Sequence, residues 1–269
     1  MQQANAALYG FEQEVLTCAG PAAHMVQLYE SDDRLLVRNA GRYFAEGFGR
    51  GDRGLIVTTE ERAEAFRREF GRLGIDAAAA VRDERLTFFD SHQTLARILV
   101  DGYPDAARFD EVVGAAVRRL VASNESGALR AYGDMVGTLW TARQFPSAIR
   151  LEQLWGKLLA QVPFSLFCAY SIDLFGTDFE AGVVDALLCA HSHFLPAGSN
   201  ATLQSALGRA MEDVLGAKVA SLPAVKLERR PAWPELPRAE SLILWLKKNL
   251  RDQAGDIFVR ARQYYQETA

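Results

Sequence analysis

Phe164-Ser165-Leu166-Phe167-Cys168-Ala169-Tyr170 is apolar almost without a break. A strand with one wet face alternates apolar and polar residues; a strand covered on both faces does not. This stretch therefore predicts a strand buried in the middle of a sheet. Its flanks, 149–162 and 179–189, read as helices. Working outward, 128–132, 86–89, 54–58 and 25–29 read as further short apolar strands. Between them lie helical patterns. Val113, Val117, Leu120 and Val121 share one face, as do Ala63, Phe66, Phe70 and Leu73. Leu35, Leu36, Ala40, Tyr43, Phe44 and Phe48 form a third set, closed by Gly47, Gly49 and Gly51. Strands alternate with helices. The pattern predicts a three-layer α/β/α domain with a mostly parallel sheet over 22–197, after a lead-in of 1–21.

Beyond a break at 196–200 the strand signals stop. Segments 203–214, 239–250 and 257–265 read as helices, and 223–237 holds four prolines and reads as a loop. Residues 198–269 are thus expected to form a smaller helical module.

The chain has 269 residues and a formal net charge of −4, which gives no reason to expect general nucleic-acid binding. Its final third is slightly basic and the rest acidic. Cys18, Cys168 and Cys189 form no CxxC pair, so neither a disulfide framework nor a cysteine zinc site is expected. No apolar run is long enough to span a bilayer, and the start lacks a secretory pattern. A reducing, cytoplasmic location is the expectation.

Four ordered blocks carry a family resemblance. His24-Met25-Val26-Gln27-Leu28-Tyr29-Glu30 opens the first strand. Glu46-Gly47-Phe48-Gly49-Arg50-Gly51-Asp52 precedes Gly54-Leu55-Ile56-Val57-Thr58. Gly133-Asp134-Met135 and Phe167-Cys168-Ala169-Tyr170-Ser171 follow. In this order they resemble the MEDS domain, the sensory domain of dichloromethane-responsive regulators from methylotrophs and its methanogen relatives. That resemblance implies a degenerate relative of RecA/KaiC-type ATPases. It also implies a sensor of small molecules, joined in some members to a histidine kinase or a transcription regulator. Glu60-Glu61 after the second strand and Asp134 after a later one match carboxylates of that ATPase pattern. The phosphate loop itself is missing. GxxxxGK[ST] needs glycine amides around the phosphates and a lysine on their charge. The sole Gly-Lys, Gly156-Lys157, is followed by Leu158 inside a helix, and the place assigned to the loop reads Pro21-Ala22-Ala23-His24. No enzyme activity and no cofactor are expected.

Ligands of parallel sheets bind beyond the strands' carboxyl ends. The candidate ligand residues are His24, Tyr29, Glu30, Glu60, Asp134, Met135 and Tyr170. Each has an ordinary structural alternative: packing for Tyr29, a helix start for Glu30 and Glu60, a cap for Asp134 on a helix beginning near Thr138. Cys168 reads as a buried, inert thiol. His191 and His193 would share a face if they lay on a strand, but no carboxylate or third histidine follows at useful spacing, so no metal site is read there. Gly47, Gly49 and Gly51 precede a strand, the wrong context for a dinucleotide turn, and no GxSxG elbow exists. In the helical module, Trp233, Leu242, Trp245 and Lys248 are the candidate residues for a signalling partner or a second copy of the chain. Two alternatives to a ligand sensor stay open: a divergent nucleotide-binding switch, and a pure interaction module.

Overall fold

The computed structural model describes residue 20 and residues 22–30, 33–124, 127–216 and 234–268. Six strands form one sheet: β1 (His24–Tyr29), β2 (Arg53–Thr58), β3 (Leu86–Asp90), β6 (Leu129–Gly133), β7 (Phe164–Ser171) and β8 (His193–Leu195). Their order is β3-β2-β6-β7-β1-β8, and every pairing is parallel. A small antiparallel ribbon, β4 (Leu99–Val100) with β5 (Tyr103–Pro104), stands apart.

The helices are α1 (Arg34–Gly49), α2 (Glu60–Arg72), α3 (Ala77–Arg82), α4 (Ser91–Ile98), α5 (Ala106–Phe109), α6 (Ala115–Ala122), α7 (Met135–Thr141), α8 (Phe145–Gln161), α9 (Ala181–Ala190), α10 (Asn200–Leu215), α11 (Arg238–Asn249) and α12 (Arg251–Thr268). A π-helical turn, Asp110–Gly114, joins α5 to α6. Short polar residues start several of them. Thr59, Asp76, Asp90, Asp105 and Ser199 each accept a backbone N–H from three residues on.

The topology follows from the handedness of crossovers. From β1 the chain moves to β2 and then β3 in one direction along the sheet; from β3 it returns through β6, β7 and β8. Right-handed crossovers running in opposite directions place their helices on opposite faces. Accordingly α1, α2 and α3 bury Tyr43, Phe44, Phe66, Phe70 and Ala80 on one face. The larger core on the other face takes α4 to α9, and α10 to α12 continue it with Leu207, Ile243 and Ile257. The layers touch closely at Gly137 of α7, where an added Cβ would lie 2.4 Å from the Ala169 carbonyl oxygen of β7.

The three-layer reading with a mostly parallel sheet and helices after it holds, and the six-stranded sheet is parallel throughout. Several short elements have no counterpart in the sequence reading: α3, α4, α5, the β4–β5 ribbon and the edge strand β8. Helix α7 begins at Met135 rather than near Thr138. Among the described residues no helix is long and apolar enough to cross a membrane.

Candidate functional site

All six strands end along the same edge of the sheet. Between β2 and β6, and between β1 and β7, neighbouring strands send the chain to opposite faces. Such switch points are where parallel sheets open a ligand crevice. Each is filled by an arginine of this chain. Arg62 lies in the first turn of α2, where a cation opposes the helix dipole and needs anions nearby. It donates to Asp134 at 2.6 Å, to Asp33 at 3.1 Å and to the Tyr29 hydroxyl at 2.9 Å. Asp134 also accepts from Thr58 at 2.5 Å. Burial raises the Asp134 pKa, and Arg62 and Thr58 oppose the rise. At the second point Arg262 of α12 donates to both carboxylate oxygens of Asp173, at 2.6 and 2.7 Å, and lies 3.6 Å from Glu30.

Beside Arg262 the loop after β7 and the two last helices enclose a crevice of about 560 Å³. Phe175, Glu180 and the first residues of α9 line one wall; Lys247, Lys248, Arg251 and Phe258 line the other. Lys247 donates to the carbonyls of Gly176 and Phe179. Burial lowers its pKa to about 8 against the pull of Glu180, Asp173 and Asp178.

A third cluster lies inside the larger core, toward the start of the strands. His24 opens β1, Cys168 lies on β7, Glu152 on α8, and His191 just after α9. His24 Nε2 is 3.3 Å from Cys168 Sγ and 3.4 Å from Glu152; His191 Nε2 is 3.5 Å from Glu152. The Tyr170 hydroxyl donates to Glu152. Burial lowers His24 to about 3, helped by His191, and lowers His191 to about 4. Both imidazoles are therefore neutral near neutral pH. Burial raises Glu152, with His24 and Tyr170 opposing, and pushes the Cys168 thiol well up.

The family profile described as MEthanogen/methylotroph, DcmR Sensory domain matches residues 23–192. The chain belongs to the MEDS family. The match runs from β1 to the threshold of β8, so the rim, the Glu152 cluster and the loop after β7 all fall within a sensory domain; α10 to α12 lie beyond it. No curated protein matches the chain.

The structure divides the seven MEDS-based ligand candidates. Tyr29 and Asp134 meet at Arg62, and Glu30 meets Arg262. His24 is not at that rim. It opens β1, and five residues of strand set it about 16 Å from Tyr29. The connection at the carboxyl end of β1 is Glu30 to Asp33, so the stretch 21–24 is not where a phosphate turn would sit. Tyr170 points into the Glu152 cluster instead of the rim crevice. Glu60 is exposed and pairs with Arg67 at 2.9 Å. Met135 is fully buried in the main core. Asp134 precedes α7 without capping it, since its side chain is taken by Thr58 and Arg62. His191 and His193 do not share a strand face: His191 precedes β8 and turns inward, while His193 contacts Ser192.

Of the partner candidates, Leu242 and Trp245 pack on the main core, Lys248 lines the crevice, and Trp233 lies outside the described residues. Sequence reasoning missed Arg62, Arg262 and Glu152. Two left a signal. Arg62 is a cation in a first turn, and Glu152 stands among Ala148, Leu151 and Trp155 on an apolar helix face.

Proposed function

We propose that this MEDS protein is a non-catalytic sensor that binds a small anionic organic molecule between the loop after β7 and the helices α11 and α12. The observation that carries the reading is the crevice of about 560 Å³ beside the Arg262 clamp. Its volume suits a small ligand. Lys247, Lys248 and Arg251 face the N-terminus of α9 across it, and both features favour an anion. An anion seated there competes with Asp173 and Glu30 for Arg262, which joins the strand ends to the last helix. Occupancy is thereby converted into a shift of α12. In line with the MEDS resemblance, that helix passes the signal to a histidine kinase or a transcription regulator, in the cytoplasm. Nucleotide turnover has no place in this reading, because only four residues, without a Gly-Lys turn, separate β1 from α1.

The test is a thermal-shift screen of small carboxylates and organophosphates, with Mg-ATP alongside. A genuine ligand raises the melting temperature in proportion to the logarithm of its concentration. The double variant Lys248→Glu/Arg251→Glu should lose that rise. Stabilisation that persists in the variant, or its absence across the whole screen, would reject the crevice as the site.

A further inference from the structure

Four side chains from four separate elements converge inside the larger core, and their chemistry fits a cation better than it fits one another. The nitrogen, sulfur and oxygen atoms that His24, His191, Cys168 and Glu152 can offer all lie within 4.8 Å of one another. All four residues are buried, at 4 % exposure or less.

The hydrogen bonds at the back of the imidazoles decide what faces inward. His24 Nδ1 is 2.8 Å from the Ala190 carbonyl oxygen, and His191 Nδ1 is 2.7 Å from that of Leu187. A carbonyl oxygen only accepts, so each Nδ1 carries the proton and each Nε2 of a neutral ring is a bare lone pair. Both lone pairs lie within 3.5 Å of the Glu152 carboxylate, itself an acceptor, and that of His24 also lies 3.3 Å from Cys168 Sγ. His191 Nε2 and one Glu152 oxygen have no hydrogen-bond partner among the described residues. Leaving such atoms unpaired in a core is destabilising. A backbone carbonyl behind a histidine that presents Nε2 is also the arrangement that orients metal-ligating imidazoles.

We infer that His24 Nε2, His191 Nε2, Cys168 Sγ and a Glu152 oxygen form a buried, closed site for one zinc ion. Two imidazoles, a thiolate and a carboxylate are a zinc donor set, and four protein ligands leave no position for a substrate. The thiolate and the carboxylate cancel the charge of Zn²⁺, so the core holds a neutral centre. Binding displaces the Cys168 thiol proton, and that of Glu152 where it is protonated, to solvent. Closing from 4.8 Å to tetrahedral spacing needs shifts on the order of 1 Å. The ion would tie β1, β7, α8 and the segment entering β8 into one unit. The inference is independent of the crevice, which shares none of these residues.

The experiment uses the full chain without a histidine tag, purified without chelator. Elemental analysis should find about one zinc per chain. Replacement by Co²⁺ should give intense tetrahedral d–d bands with a thiolate-to-cobalt charge-transfer band. Cys168→Ser should lose the charge-transfer band, and Glu152→Gln, which keeps the size of the side chain, should weaken zinc by more than about 100-fold, since even outer partners are worth 10–100-fold. Cys189→Ser should change nothing. Folded wild-type protein that takes up neither ion would overturn the assignment. So would uptake unchanged in the Cys168→Ser/Glu152→Gln double variant.

Discussion

The carboxyl rim and the Glu152 cluster are both polar constellations attached to the same sheet, and they are built on opposite plans. At the rim four carboxylates face arginines. Asp134 and Asp33 meet Arg62, and Asp173 and Glu30 meet Arg262. In the cluster no permanent cation enters among the described residues: the neighbours are two neutral imidazoles, a thiol and a phenol. The rim is paired largely by its own side chains, although one Asp134 oxygen has no hydrogen-bond partner among the described residues, and a ligand at its arginines must displace something. A core cluster that ends in lone pairs is completed from outside. The rim thus suits a reversible readout and the cluster suits a permanent staple.

The largest effect should come from breaking the deeper rim pair. Asp134 is 3 % exposed and Arg62 15 %. Arg62→Ala strands a buried carboxylate and should cost about 3–5 kcal/mol in urea unfolding. Adding Asp134→Asn should recover part of that loss, because the amide carries no charge. A cost under about 1 kcal/mol would mean that Asp134 is already neutral in the folded chain, and the rim would then resemble the cluster.

The matching cut in the cluster is Tyr170→Phe, which removes the hydroxyl donated to Glu152. The expected loss is about 1–3 kcal/mol, smaller because Glu152 can adjust its own protonation where Asp134 is held by an arginine. A loss equal to that of Arg62→Ala would erase the energetic difference between the two regions.

The sheet was legible because its signal is local. The uninterrupted run Phe164 to Tyr170 can only be a strand covered on both faces, and its neighbours follow from helical spacing and turn residues. Elements of eight residues or fewer, such as α3 and α4, bury too few apolar positions to show a period. The site was legible only in part, for a different reason. Tyr29, Asp134 and Glu30 could be placed at the rim because strand ends are visible in sequence. Arg262, which meets Glu30, is separated from its other partner Asp173 by 89 positions, and Glu152 from Tyr170 by 18. Nothing in spacing announces a pairing made by the third dimension. His24 shows a different error: it opens β1, at the opposite end of the strand from the rim where a ligand crevice was expected.

Arg262→Ala should cost less than about 1 kcal/mol, since both partners of the clamp are more than a third exposed. Its effect should instead be seen in hydrogen exchange, as faster opening of α12 with the rest of the sheet unchanged. Loss of protection across β1 and β7 would make Arg262 a structural pin, and the clamp could not serve as a readout.

A slope with pH bears on the crevice wall that faces the rim. Lys247 titrates at about 8 in the folded chain against an ordinary value of 10.5. Between those values the unfolded chain holds a proton that the folded chain has released. Unfolding therefore takes up protons, and stability must rise as the pH climbs from about 8 toward 10.5. The rise belongs to this one side chain only if it is missing in Lys247→Gln, so the measurement is the difference between the two proteins' unfolding free energies across that window. A flat difference would place Lys247 in water, its ammonium ordinary. The wall opposite α9 would then be no drier than the exposed clamp beside it.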